Sequence, residues 1–199
     1  MKTNKAELEN IKAIAFDFWG VFAEMNTPMY KYMQKHNISP NKYSKEIHDL
    51  IIAYDLDKLT EKQFLQECSR VVGLEIPYSL GRYTYKKGTL NNKLIEIVKK
   101  LKTRYKIALL TNNNKAYCDE YLFKTNLDKL FDVMVISYQV GYRKPSPEIY
   151  KILIKRLNLK PKEILFVDDD PTKFPVAENL GIKTLVYSGK KANEILSQF

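Results

Sequence analysis

A chain of 199 residues holds one domain of ordinary size with room for an insertion, and at 45% apolar and 12% aromatic it buries a proper core, which excludes intrinsic disorder as its main state. Its 33 basic against 23 acidic residues leave a formal charge of +10, which favours anionic partners without naming one. Cys68 and Cys118 lie far apart in no metal-ligand spacing, which sets aside a disulfide or zinc scaffold, and no apolar run reaches the ~18–20 residues of a membrane span.

The first clear element is the apolar run 11–16, closed by Asp17. A mixed-charge leader rather than a basic one precedes it, so the beginning does not read as a signal peptide. The run is too short for a helix and too apolar for an exposed strand, which predicts a buried parallel strand. From residue 23 to 85 the pattern turns helical with no clear strand. Inside it, Thr60 and Gln63 form a capping-box pair ahead of a helix that runs to Val72 and stops at Gly73. The expected organisation is an α/β core of residues 1–22 and 86–199 with an all-helical cap, 23–85, inserted as a lid. A helix over 91–103 follows, with Leu94, Ile97, Val98 and Leu101 at helical spacing and its lysines on the solvated face. With no nucleic-acid reading motif beside it, that charge predicts no nucleic-acid partner.

Four more strands alternate with helices. Strand 107–110 ends at Thr111 and leads to a helix over 115–125; Val133–Ile136 runs into a polar loop and then the helix Pro147–Leu157. Strand 164–167 ends at Asp168, and strand 183–187 follows a helix over 174–180. This alternation predicts a doubly wound parallel sheet with right-handed crossovers and ligands bound outside the carboxyl ends of its strands.

At those ends stand Asp17, Thr111-Asn112-Asn113, Lys144 and Asp168-Asp169-Asp170. Together they suit phosphoryl transfer. Asp17 is a carboxylate able to attack phosphorus and form an acyl phosphate. Asp17, Asp168 and Asp169 supply hard oxygen ligands for Mg2+, Lys144 a fixed positive charge, and the Thr111 hydroxyl a donor to phosphoryl oxygens. Three consecutive aspartates repel one another unless a cation stands among them.

Phe16-Asp-Phe-Trp-Gly-Val-Phe22, Leu109-Leu-Thr-Asn112, Gly141-Tyr-Arg-Lys-Pro-Ser-Pro-Glu-Ile-Tyr150 and Phe166-Val-Asp-Asp169 resemble, in order, the four motifs of the haloacid dehalogenase superfamily. The third is specific to the subgroup with a helical cap between motifs one and two. The resemblance implies a modified Rossmann-like core and a Mg2+-dependent phosphatase of small phosphorylated metabolites that works through an aspartyl phosphate. It implies Asp17 as nucleophile, Lys144 as its catalytic partner, Thr111 and Asn112 as substrate-binding residues, and metal held by Asp17, the Trp19 carbonyl, Asp168 and Asp169. The implied setting is cytoplasmic and away from membranes, as a monomer or homodimer with a small-molecule substrate.

Two positions depart from the pattern. Trp19 stands where family phosphatases carry a second aspartate as general acid and base, and its indole N–H neither titrates nor accepts a proton. Lys173 replaces a residue that usually supports the metal, and is positioned to pair with Asp169 or Asp170. These departures keep open a non-catalytic phospho-ligand or partner-binding descendant. The aromatic at 19 also brings in a metal-independent 2-haloacid dehalogenase, against which the paired Asp168 and Asp169 count. Glu24 reads as a solvated loop residue rather than a substitute acid, His36 and His48 as surface histidines, and Cys118 as a packed small side chain. Tyr78, Tyr83 and Tyr85 read as core or hinge packing.

Overall fold

Strand β1 (Ala13–Phe16) is buried along its whole length at the centre of a five-stranded parallel sheet, in a computed structural model that describes residues 10–24, 28–80 and 90–199. The other strands are β2 (Lys106–Thr111), β3 (Val133–Ile136), β4 (Ile164–Asp168) and β5 (Lys183–Val186), in the order β3-β2-β1-β4-β5. Strands covered on both faces have no polar side to alternate with, which is why they read as continuous apolar runs. Side-chain direction still alternates and sorts the residues by size. Ala13, Ala15 and Ala108 face the helix α7 (Pro147–Leu157) and its Ile149, Tyr150, Leu153 and Leu157. Ile14, Phe16, Ile107 and Leu109 face the opposite layer, built on α4 (Asn92–Leu101). In α4, Leu94, Ile95, Val98 and Leu101 are buried while Lys93, Lys99 and Lys100 are exposed, the amphipathic division its spacing predicts.

Between β1 and α4 the described residues include the helices α1 (Pro28–Lys35), α2 (Ser44–Asp55) and α3 (Glu61–Val72), with a 3-10 turn, Pro40–Tyr43, before α2, and contain no strand. They close on an apolar cluster of their own, Met33, Ile47, Leu65, Cys68, Val72 and Ile76. Both ends of α3 are as the sequence predicts. The Thr60 hydroxyl accepts from Gln63 N while Gln63 returns a bond to Thr60 N, and Gly73 ends the helix at φ +66°. Tyr83, Tyr85 and the expected boundary at 85/86 lie outside the described residues.

The structure differs from the sequence reading in the layer beside β2. The predicted helix 115–125 is a short α5 (Lys115–Tyr117) continued by a π-helical stretch, Cys118–Phe123. In the widened turn Tyr117 and Tyr121 stack at 5.3 Å, and both meet the edge of Phe18. That tertiary aromatic cluster has no signature in the local periodicity. The loop expected after β3 is a helical turn, α6 (Ser137–Val140), and the short helices α8 (Phe174–Asn179) and α9 (Lys190–Leu196) complete the outer layers. Among the described residues no helix is long and apolar enough to cross a membrane.

Candidate active site

β1 and β4 run side by side with Phe16 opposite Val167, so Asp17, bonded through its N–H to the Val167 carbonyl at 2.8 Å, emerges beside Asp168. Lys144 reaches between them from the loop after α6. Its Nζ lies 2.8 Å from Asp17 Oδ1 and 2.6 Å from Asp168 Oδ2, with Lys144 and Asp168 side chains each 1% exposed. Asn112, just past β2, fixes that lysine by its backbone: Nδ2 donates to the Lys144 carbonyl (3.0 Å) and Oδ1 accepts from Lys144 N (2.7 Å). The Asn112 amide, expected on substrate, thus holds Lys144 while the residue lines the cavity described below. Thr111 is fully buried at the end of β2, and its hydroxyl has no hydrogen-bond partner among the described residues.

Burial holds the Asp17 carboxyl above its ordinary pKa; the Lys144 ammonium pulls it down and the Asp168 carboxylate pushes it up. Asp169 is raised for the same two reasons, burial and the charge on Asp168. A Cβ at Gly20 (φ +71°) would stand 2.0 Å from Asp169 Oδ2, so only glycine lets this carboxylate close on the β1 loop. Asp17, Asp168 and Asp169 each offer an oxygen, all within 4.8 Å of one another. Three carboxylates there meet one ammonium, which leaves net negative charge facing hard oxygen donors. The residues present fit a small divalent cation of the Mg2+ kind.

Asp170 lines the same cavity but stands outside this group of three. Against the effect of burial, bonds from Thr172 N, Thr172 Oγ1 and Lys173 Nζ (2.9, 2.7 and 2.9 Å) hold it down at about 2. Lys173 therefore neutralises Asp170. Trp19 is half-buried, its ring 4.6 Å from Tyr117 and edge-on to Phe18. Glu24 is exposed, as expected of a loop residue, and Cys118 is fully buried with its thiol pushed up to about 12 by burial. Tyr78, expected to pack, is 48% exposed. His36 and His48 are both exposed, His36 against the Tyr32 ring and His48 on the wall of the cavity described next.

Above the carboxylates a cavity of about 540 Å³ extends under α1, α2 and α3. At its side stand two residues that carried no role in the sequence reading. Arg143 Nη2 lies 3.3 Å from Asp55 Oδ2, and the Ser137 hydroxyl donates to the Asp55 carbonyl at 2.7 Å. Burial pushes Asp55 up to about 6 although the Arg143 guanidinium opposes it. The pair joins the end of α2 to the Lys144 loop across 88 positions of sequence, a separation that local patterns do not report.

A sequence model described as haloacid dehalogenase-like hydrolase matches residues 14–187. The D-ribitol-5-phosphate phosphatase of Bacteroides thetaiotaomicron is 26% identical over 187 residues, covering 87% of this chain and 90% of the relative. A phosphorylated carbohydrates phosphatase of Thermotoga maritima is 37% identical over 82 residues, 41% of this chain and 38% of that protein. Among solved structures, a haloacid dehalogenase family enzyme of B. thetaiotaomicron in complex with magnesium and inorganic phosphate superposes with a TM-score of 0.73 at 21% identity, over 90% of this chain and 96% of the other.

Proposed function

This chain belongs to the haloacid dehalogenase-like hydrolases, and on that premise we propose that it is a Mg2+-dependent phosphatase of small phosphorylated substrates, acting through an aspartyl phosphate at Asp17. The observation that carries the reading is the triangle of Asp17, Lys144 and Asp168 closed by Asp169 at the carboxyl edge of the sheet. The relatives named as phosphatases support it. So does the charge: a third carboxylate beside the buried pair has a use in binding a cation and none in metal-free attack on carbon, which counts against a haloacid dehalogenase.

In this reading an Asp17 oxygen forms a bond to phosphorus as the bond to the leaving oxygen breaks. Water then attacks the aspartyl phosphate, freeing the carboxylate and inorganic phosphate. Lys144, buried against Asp17, holds positive charge where the phosphoryl group arrives and draws electron density from it. The unpaired Thr111 hydroxyl is a donor reserved for a phosphoryl oxygen. Mg2+, held by Asp17, Asp169 and the Trp19 carbonyl with Asp168 beside it, would neutralise the phosphate's charge. Trp19 gives no proton to the leaving group and takes none from water, so alcohols that leave as strong bases depart slowly; a general acid–base group is worth ~10²–10⁴-fold.

The test is phosphate release with Mg2+ by wild type and Asp17→Asn. The variant, checked by thermal melt to be folded under the assay conditions, is expected to lose turnover by ~10⁴-fold or more. Retained turnover in the variant, or halide release by wild type without metal, would overturn the reading.

A further inference from the structure

The carboxylate end of the cavity is polar, and its far end is mostly apolar. The walls given by α1, α2 and α3 include Met29, Tyr30, Ile51, Tyr54, Phe64 and Leu65. Tyr54 and Phe64 stack face to face at 4.7 Å with their planes 13° apart, an aromatic pair in the cavity wall. Trp19, held on Tyr117, gives the core side of the same cavity a second ring. Of the polar residues on the helical side, Asp55 is engaged by Arg143, while His48, Glu61 and the two tyrosines stand at intervals among the apolar groups. At about 540 Å³ the cavity is the size of a ligand site, ~300–1,000 Å³, and far larger than a phosphate needs.

We infer that the substrate is a phosphate monoester of a flat, aromatic alcohol rather than of a polyol. The inference rests on the phosphatase reading above and gives its substrate class. Two independent features carry it. The first is solvation. Each polyol hydroxyl that leaves water without a partner costs ~1–3 kcal/mol, and a wall that is mostly apolar offers partners to only some of them. An aromatic ring needs no partner there and gains from contact with Tyr54, Phe64 and Trp19. The second is the leaving group. A phenol has a pKa of ~10, whereas an alkyl alcohol lies near water at ~15.7. When the P–O bond breaks, an aryl oxide keeps the electron pair as a stable anion and collects its proton from solvent afterwards. A site with tryptophan at position 19 handles that reaction without a general acid. The same absence slows formation of the aspartyl phosphate from alkyl esters far more than from aryl esters, a difference that kcat/KM reads.

Binding separates the substrate class from the catalytic reading. Phenylphosphonate and methylphosphonate, which share a phosphoryl end and are not hydrolysed, are titrated against wild type and Ile51→Gln with Mg2+ by calorimetry, each protein first checked by thermal melt. Wild type is expected to bind phenylphosphonate at least ~10-fold tighter, and Ile51→Gln to lose most of that gap through the phenyl arm alone. Turnover of phenyl phosphate is expected to exceed that of a pentitol phosphate by ~10²-fold or more in kcat/KM. Equal binding of the two phosphonates by wild type, or a preference for the pentitol ester, overturns the inference. Tight phenylphosphonate binding with no hydrolysis of either ester supports the aromatic pocket and removes the phosphatase reading.

Discussion

Lys144 carries its charge where water does not reach it, and two carboxylates depend on it. With 1% of its side chain exposed, and bonds to both Asp17 and Asp168, it is the compensation that lets β1 and β4 end side by side in aspartate. Removing one partner of a buried ionic cluster costs ~3–5 kcal/mol, because the charges left behind stay desolvated. Lys144→Met is therefore expected to lose that much stability in urea melts without metal. Asp168→Asn in the same background restores part of it by removing one of the two facing charges. Strictly additive losses in the two singles and the double would show that the groups are not coupled. Asp55 is the other buried carboxylate, with a different sign. The folded chain holds its proton up to about pH 6, whereas an unfolded aspartate releases it near 3.9. Ionising Asp55 thus counts against folding: its favourable contribution is complete below about pH 4 and is lost as pH rises to about 6. The stability of wild type relative to Asp55→Asn should fall by ~3 kcal/mol across that window and stay level above pH 7. Paired chemical melts at pH 4, 5, 6 and 7.5 check it, and a difference independent of pH means that Arg143 compensates the charge in full.

At the level of elements, what was legible in the sequence is what is determined locally or by burial alone. The ends of α3 are an example. The reciprocal bonds between Thr60 and Gln63 and the left-handed Gly73 are each settled within a few residues. Thr60→Ala should cost ~1 kcal/mol, read as a lower urea midpoint at unchanged slope; no change would mean that water satisfies the first turn as well as threonine does. The strands were legible for the second reason, since two covered faces leave only apolar residues. With the strands known, Asp17, Lys144, Asp168 and Asp169 follow as residues at one sheet edge, and the structure brings Lys144 within bonding distance of Asp17 and Asp168, with Asp169 beside them. The remainder depends on contacts that no local pattern carries. That Asn112 also holds the Lys144 backbone, by one donor and one acceptor bond, is a contact across 32 positions that its place after β2 does not announce. The π-helical stretch after α5 follows from Tyr117, Tyr121 and Phe18 packing together, and residue 18 lies a hundred positions earlier. The Asp55–Arg143 pair joins an expected cap to an expected core, so neither half announces it.

The whole molecule divides its stability unevenly. Two large apolar clusters sandwich the sheet, one on each face, while α1, α2 and α3 share a single small one. We propose that residues 23–85 act as one cap unit over a core of 1–22 and 86–199. Across that division the described polar ties include Ser137 to the Asp55 carbonyl and Arg143 to its carboxylate, both at the end of α2. A unit with a small core and few ties opens at a lower free energy than the sheet it covers, and amide exchange reads such openings element by element. Amides of α1–α3 are therefore expected to exchange through a common opening at least ~10-fold more often than those of β1, β2 and β4, a gap of ~1.4 kcal/mol. Ser137→Ala, which removes the hydroxyl that donates to the Asp55 carbonyl, should hasten exchange in α1–α3 and leave the strands as they were. If cap and sheet exchange together at one rate in wild type, the chain opens as a single unit. The site would then admit substrate through a fixed mouth rather than by movement of the helices above it.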